Sequence, residues 1–296
     1  MKRWLWTGLA GLGFLAATAP PASAVAIMIA PASIAQRVAL SDVIVVGKVT
    51  GFGDKLVSAG SPFGGDNKVD FQIAIVQVGD AVFGAKDAKE IKVGFQPAGG
   101  PGGRPGPIRR PFPRFALTLD QEGCLFLAKH PTEDFYVGRN YYDIIAKGGP
   151  GFDKDIDEVM RCVKLLADPM AALTGKNADD RTLTAEMLVT RYRTVQPGGS
   201  KTEAIDAEES KQLLLALADA DWNPKANGPA GPRGPQTMTP QAAFFMLGMT
   251  PADGWTPPKD FKELPDAARQ WLKDNAGTYR IRRFVADQKD DKKDGK

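Results

Sequence analysis

Apolar and polar positions alternate with a period of two over the first half of this chain and with helical spacing over the second. Val43-Ile-Val-Val-Gly-Lys-Val-Thr50 is apolar on both faces, which predicts a central strand covered on each side. Val69, Phe71, Ile73 and Ile75 alternate with Asp70, Gln72 and Ala74, the period of a half-buried strand, and the polar stretch 60–67 reads as the hairpin loop between the two. At Val76 the apolar phase shifts by one residue, as a β-bulge would cause. The segment 79–87 reads as a turn region. Further strands are predicted over 90–95, 115–119, 124–128 and 135–137, with a short extended piece over 141–145. Ahead of the first strand, Ile34, Ala35 and Val38 share one face of a short helix that Pro31 could begin and Ser41-Asp42 ends.

From Asp153 the period changes. Ile156, Val159, Met160, Val163 and Leu166 recur at helical spacing, and Pro169 breaks to a short segment ending near Gly175. A second helix is predicted over 180–192. A third starts at Asp206, whose carboxylate can accept from first-turn amides. Thr239-Pro240 is an N-cap followed by Pro at the first helical position, and Pro265 to Asn275 forms the last helix, with Gly277 as its cap. Trp255 is expected in the core, and 279–285 reads as a terminal strand. The fold class that follows is α+β: a small antiparallel barrel over 25–147, then a helical region over 148–285. Two Pro/Gly-rich stretches interrupt these parts, at 97–114 and 222–238, and 286–296 is a charge-mixed tail of disordered composition.

Composition changes this picture in one respect, the compartment. Lys2 and Arg3 precede an apolar run to Ala19, and Ala22-Ser-Ala24 suits cleavage after Ala24, so residues 1–24 read as a signal peptide. The mature protein is expected in the periplasm or outside the cell, with no later stretch able to span a bilayer. The formal net charge is +3, and loss of Lys2 and Arg3 leaves about +1, a balance that offers nucleic acid no bulk attraction. Export would place the two cysteines, Cys124 and Cys162, in an oxidising compartment. One disulfide between them is the simple expectation, with a loop-closure value of about 4 kcal/mol. Two separate buried thiols are the alternative.

The order of short helix, Asp42-Val-Ile-Val-Val-Gly-Lys-Val49, then Phe71-Gln-Ile-Ala-Ile-Val-Gln-Val-Gly-Asp-Ala-Val-Phe-Gly84, then Gly123-Cys-Leu-Phe-Leu-Ala128 resembles the netrin and tissue-inhibitor-of-metalloproteinases-like module. That resemblance covers about Ala32 to Ala167 and implies a five-stranded OB-type barrel with a flanking helix. Those inhibitors present an amino-terminal Cys to the target metal. The expected mature end here is Val25-Ala-Ile-Met-Ile29, so protease inhibition is not carried over. The second half is similar to bacterial exported proteins without an assigned activity.

Candidate chemistry is sparse. His130 is the single histidine, at the end of a predicted strand, so any Ser–His or Cys–His site would have to use it. Two distant cysteines and one histidine make no metal-ligand set, and no cofactor is expected. Gly198-Gly-Ser-Lys-Thr202 lacks the spacing of a phosphate loop. Asp153-Lys-Asp-Ile-Asp157 has the alternate acids of a calcium loop, but Glu158 stands where the turn needs Gly, so first-turn helix acids are the better reading. The one local charge concentration is Arg104, Arg109, Arg110 and Arg114, whose forks suit carboxylate or phosphate. The expectation is therefore a non-catalytic exported binding module, engaging an unknown protein or an anionic envelope polymer through the barrel mouth and these arginines. The alternatives are an exported hydrolase built on a pair of carboxylates and a protease-inhibitor-like protein.

Overall fold

Ser33 opens the first helix by accepting from the Gln36 amide, while the Gln36 side chain accepts from the Ser33 amide. This reciprocal cap, rather than Pro31, starts α1 (Ile34–Leu40). The computed structural model describes residues 32–64, 67–97, 114–195, 199, 201–222 and 238–285. The leader, the tail and most of both Pro/Gly stretches lie outside them.

The fold is α+β, with one large sheet and a set of helices. The strands are β1 (Val43–Phe52), β2 (Val57–Gly60), β3 (Lys68–Phe83), β4 (Glu90–Phe95), β5 (Glu122–Lys129), β6 (Tyr136–Val137) and β7 (Ile144–Ala146). The expected first pairing is present: β1 runs antiparallel to β3, with Val49 opposite Val76. β3 continues with β4, β4 pairs in parallel with β6, and β6 pairs with β5. β5 pairs again with β1 and also carries β7. β2 lies on the far half of β3.

Two expectations about this half need correction. The segment 79–87 is not a turn up to Phe83, because β3 is one strand of 16 residues that absorbs its phase changes through register shifts against β1. The turn proper is at Gly84, where φ is +72° and an added Cβ would sit 2.0 Å from the Asp42 carbonyl oxygen. Residues 115–119 form no strand. Phe115 and Leu117 still point into the core, so their alternation reports burial without pairing.

The helical part comprises α2 (Phe152–Ala167), α3 (Pro169–Thr174), α4 (Ala178–Arg193), α5 (Ala207–Ala218), α6 (Pro240–Met246) and α7 (Leu264–Asn275). Asp206 caps α5 and Thr239 caps α6 as the sequence predicts. α7 ends on Ala276 rather than Gly277. α4 is buried on several sides, including Thr184, Glu186 and Thr190, because α1, α3, α5 and α6 all pack against it. An aromatic group of Trp222, Phe244, Trp255, Trp271 and Tyr279 fills the space beside α6 and α7. Trp222 therefore belongs to the core and not to a linker; its indole N–H donates to the Leu217 carbonyl at 2.9 Å. The terminal strand, β9 (Arg282–Val285), pairs with a strand the sequence does not reveal, β8 (Lys201–Ala204).

The double-faced apolar character of β1 has a direct cause. Val43, Val45 and Val49 face one core with Ala74, Val76, Ile91, Val93, Leu125 and Leu127. Ile44, from the opposite face, joins Cys124 and Phe126 in a second core shared with the helices. Val159 and Cys162 of α2 and Met187 of α4 belong to this second core, so it runs continuously from strands to helices.

Candidate functional site

The side chains with unmatched chemistry meet where α1 leaves the helical layer and crosses β5. Arg37 lies in the last turn of α1. Its guanidinium stacks over Phe126 of β5, 4.7 Å from the ring centre, and its Nη1 donates to the Tyr142 carbonyl at 2.7 Å. Arg139 sits in the loop between β6 and β7, with its guanidinium 5.6 Å from the ring centre of Phe63. Between them is Asp143, which is 3% exposed.

Asp143 shapes this loop. Its Oδ2 accepts from the Arg139 and Asn140 amides, each at 2.7 Å. Its own backbone carbonyl accepts from Phe126 at 2.9 Å, and its amide donates to Asn140. The loop is thereby tied to β5, and the carboxylate is committed to backbone donors. Burial pushes the Asp143 carboxyl up from 3.8 to about 6, against the two backbone hydrogen bonds and the two nearby guanidiniums, which pull it down. Burial also lowers both arginines; Asp143 opposes this at each, aided by Asp155 at Arg37 and by Asp42 at Arg139.

These residues line a recess of about 20 Å³ together with Leu40, Ser41 and Leu127. The Nε atoms of both Arg37 and Arg139 are buried and have no hydrogen-bond partner among the described residues. A buried donor left without an acceptor costs about 1–3 kcal/mol, and more when it carries charge. The wall of the recess therefore holds two guanidiniums beside one buried carboxylate.

The residues singled out from sequence fare differently. Arg104, Arg109 and Arg110 lie outside the described residues. Arg114 is exposed and donates to the Gln96 side chain, and it does not line the recess. The expected Cys124–Cys162 bridge is not formed. Both thiols are free and buried, and burial pushes each up to about 12. They occupy the same apolar core, where a reduced cysteine is simply a small apolar side chain.

His130 is buried and fully engaged. Its Nε2 lies 3.0 Å from the Gly60 carbonyl, and its Nδ1 accepts from the Thr132 and Glu133 amides at 3.3 and 3.2 Å. The amides fix Nδ1 as the acceptor, so Nε2 carries the proton. The ring is packed against Phe71 and Phe135. It joins the end of β2 to the turn after β5, which is a structural role. Asp153 and Asp155 stand in the first turn of α2, as the helix reading of that motif requires. Among the described residues no group of three or more His, Cys, Asp or Glu side chains could hold a metal ion. Among them also, no helix is long and apolar enough to cross a membrane.

No family model matches this chain, and neither a curated protein nor a solved structure does.

Proposed function

We propose that this chain is an exported, non-catalytic binding module, and that it engages its partner at the recess between α1, β5 and the β6–β7 loop. The observation that carries this reading is Arg139, whose guanidinium lies over Phe63 and whose buried Nε has no hydrogen-bond partner among the described residues. Such a group is stabilised when something outside the chain supplies the acceptor. The recess is lined by a single carboxylate, Asp143, which already accepts from two backbone amides. A hydrolase using paired acids needs a second carboxylate beside the first, so the lining favours binding over that alternative.

The proposed scaffold is a five-stranded OB-like barrel of the netrin-like kind. The pairing order β1–β3–β4–β6–β5, with β5 returning to β1 and β4 parallel to β6, supports it. OB-type barrels bind with one sheet face and its adjoining loops, and the recess lies at such a loop. Export rests on the leader-like residues 1–24.

The test is capture. Immobilised mature protein and its Arg139→Gln variant are exposed to the same solubilised cell-envelope extract, and the retained material is compared by mass spectrometry. The reading expects a species retained by the wild type and lost from the variant. It fails if nothing is retained, or if both proteins retain the same species equally.

A further inference from the structure

We draw no further inference here: the strongest candidate, the exposed aromatic surface of Phe63 and Tyr141 beside Arg139 at the β6–β7 loop, carries none, because nothing in the structure shows what covers it.

Discussion

Replacing Glu186 by Gln tests how the helical core responds to pH. Glu186 lies on α4 and is 5% exposed. Burial alone pushes its carboxyl up from 4.5 to about 7. Between those values the folded chain keeps a proton that the unfolded chain releases, so stability declines with rising pH. The contribution is fully present below about 4.5 and is lost as pH climbs through about 7. At about 1.4 kcal/mol for each tenfold change in proton affinity, the full swing is about 3 kcal/mol. The Glu186→Gln variant has no such proton to lose. Urea denaturation of both proteins at about pH 4.5 and about pH 8 gives four unfolding free energies. The buried amide has a cost of its own, but it is the same at both pH values and cancels in the comparison. Asp143, Asp206 and Asp253 titrate alike in both proteins and cancel too. The expected result is a wild type that loses about 3 kcal/mol more than the variant between the two conditions. Parallel losses in the two proteins would refute the burial argument.

Three further outcomes follow from the same structure. His130→Ala removes the link to the Gly60 carbonyl and strands the Thr132 and Glu133 amides; a loss of about 2–4 kcal/mol in chemical denaturation is expected, and an unchanged midpoint would reject the structural role. Cys124 and Cys162 should resist a thiol reagent until the protein unfolds, and reductant should leave the melting temperature unchanged, because both are free and buried with their pKa values pushed up to about 12; a mass two hydrogens short in the native protein would show a bridge instead. Gly84→Ala forces a Cβ against the Asp42 carbonyl at a positive φ, which should cost at least about 1–3 kcal/mol in thermal or urea unfolding; a neutral substitution would mean that the turn relaxes.

The parts of the fold legible in the sequence are those whose signal is local. Asp206 and Thr239 announce their helices because a cap needs only its own first turn. The Val49 and Val76 pairing follows from two long runs with a matching apolar face. β2 and β8 are four residues each and become strands only because β3 and β9 supply the partner. Gly79 and Asp80 imitate a turn, yet β1 holds them in the ladder through a register shift. The recess is the extreme of this non-locality. Arg37 is one cation in a short helix and Arg139 one in a loop, and nothing in either neighbourhood marks it. The arginine-rich insertion drew attention because charge density can be counted along a chain, whereas an unmatched guanidinium can be recognised only once its surroundings are known. Counting two cysteines likewise suggests a bridge, and only their positions within the shared core show two reduced thiols.

β1 and β5 act as a party wall. Each turns alternate side chains into a different room, Val45 and Leu125 to one side and Ile44 and Phe126 to the other. A fragment ending at Lys147 would keep the first room furnished and leave the second open to water, with Ile44, Cys124 and Phe126 bare on its outer surface. Shortened versions of this protein should therefore be sticky, and the frontier between strand-rich and helix-rich sequence is a poor place to cut.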